Sequence, residues 1–208
     1  MHIPDGFLNL PTCLGSAAVS IVALKQAVSK VGQKLDRKQV PLMGVMSAFV
    51  FAAQMLNFPI IGGTSGHLIG AALLAVLLGP WTASLIMTSI LLIQGLVFMD
   101  GGISALGANL LNMAVIAPWG GYAVYQFFLR IRSPRMVAAF VASWASVLFA
   151  AIACALELAL SGLPFVVVLP AMVYWHLIIG IGEGVITTAV LMYVWNTREK
   201  WAEEIVKV

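Results

Sequence analysis

Long apolar stretches separated by short polar connections dominate this sequence. Seven apolar segments can be marked out, at residues 11–31, 42–58, 65–78, 81–99, 103–129, 136–160 and 173–195. Most of them reach the roughly 20 residues that a helix needs to cross a bilayer, whereas 65–78 is too short to cross in a simple way. The pattern predicts one transmembrane domain over residues 1–208, an all-α integral membrane protein built as a compact bundle of about seven helices.

The composition supports this fold class. Of the 208 residues, 62% are hydrophobic and only 9% are charged, whereas soluble domains have roughly 45–50% apolar and about 25% charged residues. A water-soluble fold could not cover this much apolar surface. Cys13 and Cys154 lie in unrelated apolar segments without zinc-ligand spacing, which favours a packing role.

The basic residues indicate how the bundle is oriented. All 11 Lys and Arg fall in three regions, namely Lys25, Lys30, Lys34, Arg37 and Lys38; Arg130, Arg132 and Arg135; and Arg198, Lys200 and Lys207. With seven spans these regions share one side, which the positive-inside rule assigns to the cytoplasm. We therefore expect a multi-pass protein of the plasma membrane, with its N-terminus outside together with the loops 59–64, 100–102 and 161–172. The cytoplasmic tail, residues 196–208, is predicted to be an amphipathic helix that is either an interfacial anchor or a partner contact.

The opening residues, MHIPDGFL, contain the elements of a metal chelate. A terminal amine followed by histidine can bind a transition metal through the amine of Met1, the amide nitrogen of His2 after loss of its proton, and Nδ1 of the same His2. Displacing the amide proton requires a strong Lewis acid, and planar nitrogen coordination is favoured by Cu(II) and Ni(II). Residues 1–10 are therefore predicted to form a metal-chelating segment that leaves one planar position open.

A second candidate ligand lies in the stretch GGTSGHLIGAAL. Ser65 is predicted to cap the third helix, which would place His67 in its first turn. The positive end of the helix dipole would favour a neutral imidazole there. Since this loop and the N-terminus are expected on the same side, His67 can supply the fourth nitrogen. Taken alone, each histidine has a structural interpretation as well.

These residues resemble the CbiM/NikM family, the substrate-binding membrane subunits of energy-coupling-factor (ECF) transporters for cobalt and nickel. The resemblance is carried by MHIPDGFL and by GGTSGHLIGAALLAVLLGPW, and it extends along the whole chain in length and hydropathy. It implies that Met1, His2 and His67 bind Ni²⁺ or Co²⁺ as the transported substrate.

The resemblance also implies partners, namely a transmembrane coupling subunit, a pair of ATPases and often a small accessory membrane subunit. The sequence contains no G-x-x-x-x-G-K-[ST] phosphate loop, so ATP hydrolysis is expected on the separate ATPase chains. We expect a transporter subunit rather than an enzyme, embedded in the lipid bilayer and without a nucleic-acid partner. Planar nitrogen binding favours nickel, while relatives that serve cobalt use the same ligands, so both ions stay open.

Several other polar residues have two interpretations each. Asp5 either closes the turn at Pro4-Asp5-Gly6 or orients His2. Asp100 is either a solvated loop charge or a group that supports the metal ligands. Ser65 can also support the metal ligands. His176 and Glu183 share one face of the last helix and are either functional or contacts between helices. Asn109 and Asn112, and likewise Gln54 and Asn57, are predicted to make hydrogen bonds to other helices.

One motif points to a different class of function. Gly63-Thr64-Ser65-Gly66 matches the G-x-S-G nucleophile motif of rhomboid intramembrane proteases, in which Ser65 would attack and His176 would be the base. The glycines after His176 are spaced differently from that pattern, and a protease gives no reason for MHIPDG. A metal channel that works without an ATPase is a third alternative. Metal capture remains the preferred hypothesis.

Overall fold

The computed structural model describes residues 1–33, 40–60 and 64–206, with side chains described up to residue 197. Within these residues the chain forms seven helices and one hairpin. In chain order they are α1 (Leu10–Gly32), α2 (Val40–Gln54), β1 (Phe58–Ile60), β2 (Thr64–Gly66), α3 (Ala71–Leu78), α4 (Pro80–Val97), α5 (residues 106–130), α6 (Arg135–Leu160) and α7 (Phe165–Val206). The predicted helical architecture is confirmed.

Some predicted features lie outside the described residues. These are Lys34, Arg37 and Lys38 of the basic first connection, Gly62 and Gly63, and the side chains of the tail from Arg198 onward. The backbone of α7 continues as one helix into the tail as far as Val206, as predicted for that segment.

Four of the described helices are long and apolar enough to cross a membrane. They are α1, α4, α6 and the part Phe165–Thr197 of α7. Helix α2 is a shorter apolar helix of 15 residues. Helix α5 consists of α-helical Leu106–Leu110, π-helical Leu111–Ile116 and α-helical Ala117–Arg130. The π-helical turn accommodates Pro118, which has no N–H and whose ring would crowd a carbonyl of the preceding turn in a regular α-helix.

The short helix α3 lies at the centre of the bundle. It packs against α4, α5, α6 and α7, and Ala71 to Ala75 are all buried. Lipid cannot satisfy the free backbone groups at the ends of a short helix, so such a helix needs protein around it at this depth. Helix α6 approaches its neighbours closely because it presents small buried residues, including Ala138, Ala142, Ser146 and Ala150.

The predicted start of the third helix is wrong. The helix begins at Ala71 rather than at residue 65, and Ser65 and His67 do not lie in its first turn. Ser65 lies instead in β2, paired with Pro59 of β1. Gly70 adopts a φ of 74°, a left-handed conformation that interrupts the helix at its N-terminal side. The apolar run therefore divides into an extended part and a helical part.

The last helix also begins earlier than predicted. It starts at Phe165, so most of the expected loop 161–172 is helical and Pro170 lies inside the helix. The actual connection is a tight turn in which Gly162 has a φ of 101° and donates to the carbonyl of Ala159. The apolar residues 165–169 continue the helix toward its N-terminus because one proline removes only a single helical hydrogen bond near that end.

Candidate metal centre

The N-terminal segment folds into the bundle and is held there by its backbone. Met1 and Ile3 are fully buried and His2 is 4% exposed. The amide of Ile3 donates to Oδ1 of Asn109 at 2.8 Å, and Nδ2 of Asn109 donates back to the Ile3 carbonyl at 3.1 Å. Gly102 also donates to that carbonyl, at 2.9 Å. These contacts fix the register of the first residues against the start of α5.

Ser65 of the hairpin receives the terminal amine. The amine of Met1 donates to the carbonyl of Ser65 and, at 3.1 Å, to its Oγ. The amide of His2 donates to the same Oγ at 3.2 Å. Burial lowers the pKa of the Met1 amine to about 5, because the charged form loses its hydration. At neutral pH the amine is therefore uncharged and carries a lone pair.

The two histidines stack on one another beside this amine. The rings of His2 and His67 have centroids 4.6 Å apart and an angle of 24° between their planes. Burial, followed by the nearby amine charge, lowers the pKa of His2 to about 3 and the pKa of His67 well below its usual value. Both imidazoles are neutral at physiological pH, so each has one nitrogen with a free lone pair.

The hydrogen bonds of the two rings indicate which nitrogen that is. Nε2 of His2 bonds to Oε1 of Gln94 at 3.1 Å, and Nδ1 of His67 bonds to the carbonyl of Leu68 at 2.7 Å. The Leu68 carbonyl can only accept, so Nδ1 of His67 carries the proton. With Oε1 of Gln94 as its acceptor, Nε2 of His2 carries the proton of that ring. Nδ1 of His2 and Nε2 of His67 are buried and have no hydrogen-bond partner within the described structure. They are the two ring nitrogens that a chelate including the terminal amine would use.

The acidic residues near the centre have different roles. The carboxylate of Asp5 accepts from the amide and the hydroxyl of Ser104, at 2.7 and 2.6 Å, and from the amide of Ile103. These bonds lower the pKa of Asp5, and they fix the N-terminal segment to the connection before α5 rather than orienting His2. Asp100 is the carboxylate beside His2, with Oδ1 3.4 Å from Nδ1. Burial raises the pKa of Asp100.

A pocket reaches this centre from the surface. Its lining includes His2, Asn57, Ser65 and Asp100. Within the described ranges no group of three or more His, Cys, Asp or Glu side chains is placed to hold a metal ion. A metal at this centre would therefore require the terminal amine or a backbone nitrogen as ligands in addition to the two imidazoles.

Sequence reasoning missed the residues that hold the candidate ligands in place. Gln94 was not singled out, although it is the one amide side chain in the apolar segment 81–99. Asn109 was expected to connect helices, but it holds the backbone of Ile3, whereas Asn112 does connect helices by donating to Glu157 of α6 at 2.6 Å. Asn57 donates to Asp100 at 3.0 Å.

The protease interpretation finds no support in the geometry. The hydroxyl of Ser65 accepts from the Met1 amine and the His2 amide. Nδ1 of His176 bonds to the carbonyl of Met172, and the part of the chain that the structure describes contains no hydrogen bond between Ser65 and His176. The nucleophile and base of a serine protease must be within hydrogen-bonding reach.

Comparisons with known proteins agree with a metal transporter. A family model described as the cobalt uptake substrate-specific transmembrane region matches residues 2–201. A putative fused nickel transport protein of Archaeoglobus fulgidus is 44% identical over 98% of this chain and 68% of its own length. A putative metal transport protein of Methanocaldococcus jannaschii is 37% identical over 95% of this chain and 93% of its own length. The crystal structure of a truncated transition metal transporter, 42% identical, superimposes with a TM-score of 0.92 over 95% of this chain and 99% of that one.

Proposed function

The chain belongs to the CbiM family of cobalt uptake substrate-specific transmembrane regions, and from this premise we propose that it captures Ni²⁺ or Co²⁺ for an ATP-driven ECF-type importer in the plasma membrane. Membership of a family of transport proteins agrees with a transporter subunit rather than an enzyme. The relative from Archaeoglobus fulgidus is a putative fused nickel transport protein, and the family is described as one of cobalt uptake.

The proposed ligands are four nitrogens from Met1, His2 and His67. The observation that carries this assignment is a pair of buried ring nitrogens, Nδ1 of His2 and Nε2 of His67, which have no hydrogen-bond partner among the described residues. They lie on stacked rings next to a neutral terminal amine. The amine, the His2 amide nitrogen and Nδ1 of His2 form two fused chelate rings, and Nε2 of His67 completes the plane. The amide proton leaves when the ion binds.

Selectivity follows from this donor set. A planar array of nitrogens suits Ni(II), whereas Zn²⁺ favours a tetrahedron and Mg²⁺ and Ca²⁺ favour oxygen ligands. The carboxylate of Asp100, which lies beside His2, offsets part of the positive charge of the ion. The hydroxyl of Ser65, which accepts from the Met1 amine and the His2 amide, keeps these two nitrogens in place.

Release into the cell requires partners. The chain contains no phosphate loop, so the energy is supplied by a pair of ATPases acting through a transmembrane coupling subunit, with a small accessory subunit in some systems. Uptake of radioactive nickel by cells that express this chain with those partners, but not by cells that express it alone, is the expected result. Equal uptake by the chain alone would indicate a channel.

The experiment that tests the proposed metal centre compares the protein with a blocked and with a free terminal amine. The chain is expressed behind a removable leader whose cleavage site lies directly before Met1, and binding of both ions is measured by isothermal titration before and after cleavage. Intact mass confirms that Met1 is the first residue. We expect no high-affinity binding before cleavage and one ion per chain afterwards.

Two single substitutions complete the test. After cleavage, His2→Ala and His67→Ala should each lose high-affinity binding, because each removes a ring nitrogen of the plane. Full affinity in the uncleaved protein, or in the His67→Ala variant, would contradict the proposed ligands.

A further inference from the structure

The segment that carries His67 is an irregular stretch enclosed in the bundle. Between β2 and α3 the backbone makes no regular pairing, yet Ile69 is fully buried and His67 is 1% exposed. Buried backbone N–H and C=O groups need partners. In a membrane protein no lipid can supply them. Side chains from other helices must therefore satisfy the backbone of residues 68–70.

Glu183 of α7 satisfies the N–H groups of this segment. Its Oε2 accepts from the amide of Ile69 at 2.5 Å and its Oε1 accepts from the amide of Gly70 at 2.8 Å. Gln54 of α2 holds the opposite side, because its Nε2 donates to the carbonyl of Ile69 at 2.6 Å. Glu183 is 2% exposed and Gln54 is fully buried. Two helices thus hold the successive peptide units 68–69 and 69–70 between them, and we call this arrangement the clamp.

This clamp lies two residues from the ring of His67 and determines where the ring points. Nδ1 of His67 bonds to the carbonyl of Leu68 at 2.7 Å. This carbonyl belongs to the same peptide unit as the amide of Ile69, which donates to Glu183. The orientation of that peptide therefore fixes both the tautomer and the direction of Nε2. A rotation of this peptide would shift the ring of His67 relative to the ring of His2, whose centroid lies 4.6 Å away.

Packing leaves the segment little freedom to adjust without the clamp. A Cβ on Gly66 would lie 2.8 Å from the ring of Phe58, and a Cβ on Gly70 would lie 2.8 Å from Val50. The apolar contacts on both sides fix the path of the chain, but they are not directional. The hydrogen bonds from Glu183 and Gln54 are directional, and they specify how the peptide planes are turned.

We propose that Glu183 is a positioning residue of the metal centre: its carboxylate, through the amides of Ile69 and Gly70, holds His67 in the orientation that places Nε2 toward the ion. This inference rests on the proposed function. A carboxylate is needed here because it offers two acceptor oxygens to two N–H groups. A carboxamide offers one acceptor and turns a donor toward the second N–H.

The test compares two buried glutamates that receive the same change. In the protein with a free Met1, Glu183→Gln should weaken nickel binding about 10- to 100-fold, the usual range when a group that orients a metal ligand is lost. Glu157→Gln is the matched control, because Glu157 is also buried in the bundle and contacts Asn112 instead of the His67 segment. Its affinity should stay within about threefold of the wild type.

Three further measurements separate positioning from a general loss of structure. At saturating nickel the absorption spectrum of Glu183→Gln should equal that of the wild type, because the same four nitrogens bind. Glu183→Asp keeps both acceptor oxygens on a shorter side chain, so its nickel affinity should lie between that of the wild type and that of Glu183→Gln. In a His67→Ala background, Glu183→Gln should cause no additional loss, because the clamp acts through His67.

The outcomes also separate this inference from the proposed function. Wild-type affinity in both Glu183 variants, an equal loss in Glu157→Gln, or an additive loss in the His67→Ala background would overturn the role of Glu183 and leave the ligand set intact. Failure of the wild type to bind, or full binding by His67→Ala alone, would overturn the ligand set itself.

Discussion

At the scale of single residues, burial prepares the nitrogens of the centre for a metal. The amine of Met1 and the rings of His2 and His67 all have lowered pKa values because they are removed from water. A cation entering the centre therefore displaces no proton from these three groups at neutral pH. The His2 amide is the remaining nitrogen that must lose a proton.

The pH dependence of binding follows from these groups. The amine pKa of about 5 lies below neutral pH, so between pH 6 and 8 one proton leaves, from the amide, and affinity should rise about tenfold per pH unit. Below about pH 5 the amine is also protonated, and affinity should fall about 100-fold per pH unit. Isothermal titration across this range measures both slopes. An affinity independent of pH between 6 and 8 would argue against an amide ligand.

Replacing Ser65 distinguishes a metal centre from a protease. In Ser65→Ala the amine of Met1 keeps its bond to the Ser65 carbonyl, but the amine and the amide of His2 each lose a bond to Oγ. Each such hydrogen bond contributes about 1 kcal/mol, so nickel affinity should fall no more than about 30-fold, as titration would show. Complete loss of every activity in this variant would instead indicate that Ser65 is a nucleophile.

At the scale of elements, the hairpin and the turn into α3 bring the ligands together. Strand β2 lies antiparallel to β1, with Ser65 opposite Pro59, and presents Ser65 to the N-terminus. Gly70 then turns the chain into α3 with a φ of 74°. The turn lies against Val50 of α2 and under Glu183 of α7, so the two helices and the hairpin form one support for His67.

Two glycines with similar backbone conformations test this support. Gly70 and Gly162 both have positive φ, but a Cβ on Gly70 would meet Val50 at 2.8 Å, while nothing lies within 4 Å of a Cβ on Gly162. Gly162→Ala should cost about 1–2 kcal/mol from the backbone conformation alone. Gly70→Ala should cost about 1–3 kcal/mol more through overpacking.

Thermal unfolding in detergent, together with nickel titration, measures the effect of these two substitutions. Only the Gly70 variant should also bind nickel more weakly, because only that glycine adjoins the His67 segment. Equal stabilities of the two variants would show that the contact with Val50 relaxes freely.

At the scale of the whole molecule, the bundle is organised around α3. The longer helices enclose this helix. Inside the protein, Gln54 donates to the carbonyl of Ile69, and Glu183 accepts from the amides of Ile69 and Gly70. The candidate metal centre lies where the N-terminal segment, the hairpin, α4 and the start of α5 meet.

The predicted orientation can be tested at the two ends of α5. Ile103 and Ile131 flank this helix and are similarly exposed, at 65% and 58%. Each is changed to Cys in a chain whose own cysteines, Cys13 and Cys154, are replaced by Ala. A membrane-impermeant maleimide added to intact cells should label position 103, on the side of the N-terminus, and not position 131. Labelling of position 131 alone would show that the orientation is the opposite of the predicted one.

The sequence by itself determined the class of protein, the number of helices in the part of the chain that the structure describes, and the set of nitrogen groups that its first two residues carry. These features are local. An apolar run of sufficient length must become a helix in lipid, because its backbone can bond only to itself. The amine, amide and imidazole of a chelate at Met1 and His2 are adjacent along the chain.

Tertiary structure decided the environment of His67 and the residues that support the ligands. The apolar composition of residues 65–78 fits a helix throughout, yet residues 64–66 form a strand and residues 67–70 are irregular. Distant side chains satisfy the backbone there, and Gly70 permits the turn. Gln94, Asn109 and Glu183 reach the centre from positions about a hundred residues away. The periodicity of apolar residues indicates which face of a helix is buried, but not which residues that face contacts. The contacts of Gln94, Asn109 and Glu183 therefore arise only when the helices pack.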